Sequence, residues 1–157
     1  MKRIQLLLAV GILAGCVTTP PPPQLTPAEI QSIQSREFET TKTIAFASVI
    51  SVFQDLGYTI ASADKETGFI TSSSASSSKT DYWFTGQTIN SQTKATAFIE
   101  DMPGNRTRVR LNFVVTNKSS SVYGQTRDSD VPILDAKVYQ TAFEKIDDAI
   151  FTRSGTK

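Results

Sequence analysis

Histidine is missing from all 157 residues, which excludes catalytic triads, general bases and metal sites built on imidazole. Cysteine occurs once, at Cys16, so a disulfide within the chain and a multi-thiolate metal site are excluded as well. Neither sign of charge is in real excess: 16 Lys and Arg face 15 Asp and Glu, a formal net charge of +1, which excludes a strongly basic nucleic-acid binder. No apolar run approaches the roughly 20 residues that a permanent membrane helix requires. A Gly-rich phosphate loop and a G-x-S-x-G elbow are also missing. The sequence offers no catalytic set, so it is read as a non-enzyme with no cofactor, no metal and no nucleic-acid partner. At roughly 150 residues per domain, the length suits one module, and 39% hydrophobic residues can support its core.

What is present begins with an address. Met1-Lys2-Arg3 is a positive start, Ile4 to Ala14 is apolar, and Leu13-Ala14-Gly15-Cys16 closes the run. The run is too short to span a bilayer and reads as a cleaved secretory signal over residues 1–15. The tetrapeptide resembles the bacterial lipobox, which implies diacylglycerol on the Cys16 sulfur, cleavage before it and acylation of the new N-terminus. Cleavage would remove Lys2 and Arg3, taking the basic count from 16 to 14 against 15 acids, a formal charge of −1. Buried acyl methylenes, at about 0.8 kcal/mol each, would then be the anchor rather than attraction to anionic lipid. Val17 stands where Asp would signal inner-membrane retention in enterobacterial lipoproteins, which implies lipid-anchored residence in the outer membrane with the domain facing the periplasm.

Residues 16–26 form the lipidated Cys and a Pro-rich tether, whose Pro20 to Pro23 favour polyproline II at about 3.1 Å per residue. Thr26-Pro27-Ala28-Glu29 has the form of a capping box, predicting a short helix over 27–35. An α+β domain is expected over 36–153. Glu37 to Thr40 alternates like a strand. A helix from Lys42 to Leu56 places Ala45, Val49, Val52, Phe53 and Leu56 on one stripe, and Gly57 stops it. Tyr58 to Ala63 and Phe69 to Ser74 read as a hairpin around Asp64 to Gly68. The Ser-rich run near 72–81 reads as a mobile loop. Strands are predicted over Thr93 to Asp101, Arg106 to Thr116 and Val122 to Thr126. A last helix carries Tyr139, Ala142, Phe143, Ile146 and Ile150 on one stripe. Asp128, Asp130 and Asp135 precede it and suit its dipole. The expected order is β-α-β-β-β-β-β-α: an antiparallel sheet of about five strands with two amphipathic helices on one face.

Three groups are candidates for contact with a partner or ligand. Arg106, Arg108 and Arg110 alternate on one strand face, about 7 Å apart. They form either a row for phosphate, sugar acids or acidic side chains, or a solvated face paired with Glu100 and Asp101. Tyr82, Trp83 and Phe84 form either an exposed anchor for a partner or membrane interface, or a cluster that closes the core. Asp128-Ser129-Asp130 lacks the glycine and distal glutamate of a calcium loop, and helix-dipole and loop solvation explain it instead.

Arg36-Glu37-Phe38-Glu39-Thr40, Val52 to Ile60, Ala63-Asp64, Gly68-Phe69-Ile70 and Tyr139 to Phe143 together resemble a family of small bacterial outer-membrane lipoproteins of poorly defined role. The likeness spans about residues 36 to 151. The same order of elements is similar to the helix-grip domains of the C component of the β-barrel assembly machinery. The resemblance implies a scaffold or accessory subunit of an envelope complex, in secretion or barrel assembly, with an envelope protein as partner. The alternative is a carrier or sensor holding a small amphiphile or glycan between helix and sheet.

Overall fold

A computed structural model describes residues 25–81, 87–121 and 123–155. The expected signal segment, Cys16 and nearly all of the tether lie outside the described residues. Local signals act where they were read. Helix α1 (Pro27–Gln34) starts on a complete capping box: the Thr26 side chain accepts from Glu29 N, and the Glu29 carboxylate accepts from Thr26 N at 2.7 Å. Strand β1 is Ser35–Phe38, directly after it. Helix α2 (Lys42–Asp55) is capped by Thr41, and Gly57 follows at φ 82°.

Next comes a hairpin of β2 (Tyr58–Asp64) and β3 (Phe69–Ser74). Its turn is built by the Asp64 carboxylate, which accepts from Glu66 N at 2.9 Å, and by Gly68 at φ 81°. A Cβ on Gly68 would collide with the Ile99 carbonyl, whose own N–H donates to Gly68 O at 2.9 Å.

Strand β4 (Ser77–Asp81) is the first departure from expectation. The run near 72–81 is β3 and β4 with only Ala75 and Ser76 between them, rather than one mobile loop. Serine composition argues against burial, but here no burial is needed. The ladder to β5 satisfies the backbone of β4, and Thr80 and Thr88 hydroxyls meet across it at 3.2 Å.

Strands β5 (Gln87–Met102) and β6 (Arg106–Ser120) form the long central hairpin, paired from Thr88↔Ser120 to Met102↔Arg106. Both outrun the expected strands at the distal end. Strand β7 (Thr126–Pro132) begins where the predicted 122–126 strand was to end. Asp128 and Asp130 therefore lie in β7, opposite Lys118 and Thr116. Of the three acids expected at the last helix only Asp135 is there, accepting from Lys137 N at 2.9 Å as the N-cap of α3 (Ala136–Ser154).

The protein is α+β, with three helices and one antiparallel seven-stranded sheet. The main order is β1-β6-β5-β3-β2, with β4 also on β5 and β7 also on β6. Each edge of the central hairpin therefore carries two strands in tandem. The break between them is closed by side chains. Between β1 and β7, the Tyr139 hydroxyl accepts from Phe113 N at 3.3 Å and donates to Ile133 O at 2.9 Å, while Ile133 N donates to Phe113 O at 2.9 Å. Between β3 and β4, Thr93 N donates to Ser74 Oγ at 3.0 Å, and Gln92 Nε2 donates to Ser74 O at 2.9 Å. A buried break in a ladder needs such substitutes, since orphaned backbone groups are costly.

The core lies between the sheet and helices α2 and α3. Ala45, Val49, Val52 and Phe53 of α2 meet Tyr139, Ala142, Phe143, Ile146 and Ile150 of α3 over Ile70, Ala95, Ala97, Ile99, Val109, Leu111 and Phe113. The stripes read from the sequence are thus the buried faces, with Leu56 at 37% exposure as the exception at the helix end. Val115, near the end of the expected Arg106 to Thr116 strand, stands opposite Thr93 and Val131 and is only half-buried.

Candidate functional site

The face of the sheet opposite the helices is where the arginine row falls. Register places Arg108 beside Glu100 on β5 and Glu37 on β1, and Arg110 beside Phe98 and Ser35. Arg106 Nη1 donates to Glu37 Oε2 at 2.9 Å, Arg108 Nη2 to Glu37 Oε1 at 2.8 Å, and Arg108 Nη1 to Glu100 Oε1 at 3.2 Å. The hydrogen bond from Arg108 holds the Glu37 carboxyl below its ordinary value. Glu100 is thus the expected partner. Asp101, the other one expected, stands opposite Thr107 and makes no ion pair among the described residues. Glu37, which sits 69 residues before Arg106, takes its place.

Arg110 differs from its two neighbours on the row. It is exposed and makes no ion pair among the described residues. Beside it, Phe98 and Phe69 are directly paired across β5 and β3, with ring centroids 5.2 Å apart. Phe69 is 51% exposed. Phe69, Phe98, Thr96, Arg110 and Asn112 line a shallow depression of about 210 Å³. The sequence showed the cation, but nothing in it marked Phe69 and Phe98 as its companions. Tyr82, Trp83 and Phe84 lie outside the described residues; their chain neighbours Asp81 and Gln87 are Cα partners at the end of the β4–β5 ladder.

A second concavity lies on the helix side, where α2 ends and α3 begins. It has a volume of about 420 Å³ and is lined by Leu56, Tyr58, Phe113, Val138 and Ala142, with Asp135, Lys137 and Thr141 at its polar rim. Burial pushes the Tyr58 phenol above its ordinary pKa. Within the helix–sheet layer itself, Phe53, Tyr139, Phe143, Ile70, Ile99 and Leu111 are each under 2% exposed or at that limit. Room for a guest is at the end of the layer, not inside it.

No arrangement of nucleophile and base emerges among the described residues. The buried hydroxyls of Thr40, Ser48 and Thr116, which lack partners, are scattered rather than convergent. Ser91 and Lys94, at Ser-x-x-Lys spacing, lie on one strand, where an odd separation sends the side chains to opposite faces. No group of three or more potential metal ligands occurs among the described residues, and none of their helices is long and apolar enough to cross a membrane. No protein-family model matches the chain, and no curated protein matches it at a significant level.

Proposed function

We propose that the chain is a non-enzymatic lipoprotein of the bacterial outer membrane, anchored through lipid on Cys16. In this reading its periplasmic domain is a scaffold or accessory subunit of an envelope complex, of the secretion or barrel-assembly kind. The helix-grip likeness belongs to this reading, supported by an antiparallel sheet whose two longest helices both pack on one face.

One observation carries the docking role. The sheet face away from the helices presents Arg110, which makes no ion pair among the described residues, beside the exposed Phe69 and half-buried Phe98 ring pair, next to the Glu37 network of Arg106 and Arg108. Arginine flanked by aromatic surface suits a partner segment with a carboxylate next to an apolar side chain, the type of contact in which binding energy concentrates.

The test is in-cell photocrosslinking of the full chain, with the reactive residue at Phe69 on the open face or at Gln140 on the outer side of α3. A discrete envelope-protein adduct from position 69, lost on Arg110→Glu and absent from position 140, is the expected result. Adducts of equal yield from both positions, or none from position 69, would overturn the docking role. Recovery of an unprocessed chain carrying a free Cys16 thiol would overturn the anchoring.

A further inference from the structure

We propose that the cleft between the end of α2 and the first turns of α3 binds a single-chain amphiphile with an anionic head group, its alkyl chain against Phe113 and Val138 and its head at Lys137.

Three observations lead there independently of the open sheet face. The first is size and lining. A volume of about 420 Å³ falls within the about 300–1,000 Å³ of small-ligand sites, and five of its eight lining residues are Leu56, Tyr58, Phe113, Val138 and Ala142. The second is apolar surface left in water at its margin. Leu56 is 37% and Val138 is 39% exposed, although both border the best-packed part of the molecule. Leu56 ends the α2 stripe, yet no side chain of α3 or the sheet completes its burial. Covering both removes water from apolar surface at about 25 cal/mol per Å².

The third is the polar part of the lining. Lys137 makes no ion pair among the described residues, and the neighbouring Asp135 carboxylate is engaged by Lys137 N at 2.9 Å as the helix cap. Tyr58, whose hydroxyl makes no hydrogen bond among the described residues, and Thr141 line the same space. A lysine and two hydroxyl-bearing residues on a mostly apolar lining suit a carboxylate or phosphate on an alkyl chain, and the one carboxylate on that lining, Asp135, is already held by Lys137 N as the helix cap.

The probe is dodecanoate, titrated into the full chain made by cell-free synthesis so that Cys16 is unacylated, and followed by amide and methyl NMR. The expected result is saturation at one molecule per chain, with shifts centred on Tyr58, Phe113 and Val138. Shortening the probe should weaken binding about fourfold per methylene, the equivalent of about 0.8 kcal/mol each. Lys137→Glu should weaken dodecanoate about tenfold while leaving dodecyltrimethylammonium no weaker. Val138→Trp, at a position 39% exposed, should block the chain, with the fold of the variant checked by the same NMR spectra. Uptake that does not saturate, or that survives both substitutions, would place the probe on other apolar surface such as Ile4 to Ala14 and overturn the proposal. Equal affinity for the cationic amphiphile, or absence of binding in a variant-free chain that is folded by NMR, would overturn it too.

Discussion

Strands β5 and β6 run one continuous ladder through two different environments. From Ala95 to Met102 and Arg106 to Phe113 the pair lies under α2 and α3, with β1, β3 and β2 beside it. There the inward residues Ala95, Ala97, Ile99, Val109, Leu111 and Phe113 are at most 2% exposed. From Gln87 to Lys94 and Val114 to Ser120 the pair extends as a wing flanked by β4 and β7. All of β7 and nearly all of β4 are exposed. The first half is held by apolar burial, at about 1.5–3 kcal/mol per large side chain. The wing relies on ladder bonds and cross-strand hydroxyl and amide contacts, such as Ser91 Oγ to Asn117 Oδ1 at 2.6 Å. In the wing, polar cross-strand contacts do among the described residues what apolar packing does beneath the helices. The outer strand β7 guards the wing against pairing with other chains by carrying Asp128, Asp130 and Pro132.

Core truncation should separate the halves most sharply. Phe53 is fully buried against Tyr58 and Phe113, so Phe53→Ala should cost about 3–5 kcal/mol, whereas Val131→Ala on the wing should stay within about 0.5 kcal/mol. Urea unfolding of the two variants checks this, and similar losses would dissolve the distinction. Gly68→Ala comes next, at about 2–4 kcal/mol, because it adds both a positive-φ penalty and the collision with the Ile99 carbonyl. Gly104→Ala, at a similar φ of 82° but in open space, isolates the conformational part.

A smaller effect, about 1–3 kcal/mol, is expected from Tyr139→Phe, which orphans Phe113 N at the junction of the halves. Hydrogen exchange should quicken at Phe113 and Ile133 and through β7 before it quickens in the amides of α2. The smallest effect is electrostatic. The folded Glu37 carboxyl titrates below its ordinary value of 4.5, so its contribution is present above that pH and is lost as the pH falls through the lower folded value. Glu37→Gln should flatten the acid limb of a thermal-stability profile while leaving the wing's exchange rates unchanged.

Legibility in the sequence divides along the same line. The helix-covered half carried strong local signals: the Thr26–Glu29 capping box, Gly57 at the end of α2, and the stripes of α2 and α3 all act as read. In the wing only the end of the predicted Arg106 to Thr116 strand was legible. Ser77 to Asp81 and Thr126 to Pro132 have loop composition and become strands only because β5 and β6 supply partners for their backbones. The arginine row was legible as a face, but its inequality was not, because Glu37 reaches Arg106 and Arg108 from a distant strand and leaves Arg110 to stand beside Phe98.

The amino-acid sequence by itself determined which faces of α2 and α3 are apolar and, to within a residue, where α1 and α2 begin and end. Those properties reside in residues three or four apart, or at turns, where propensity and capping act without distant help. Only the tertiary structure decided that the sheet has seven strands, that Tyr139 and Ser74 close its two breaks, and that a cleft opens past Leu56. Pairing register and shape at the end of a helix layer depend on residues tens of positions away, and no local pattern records them.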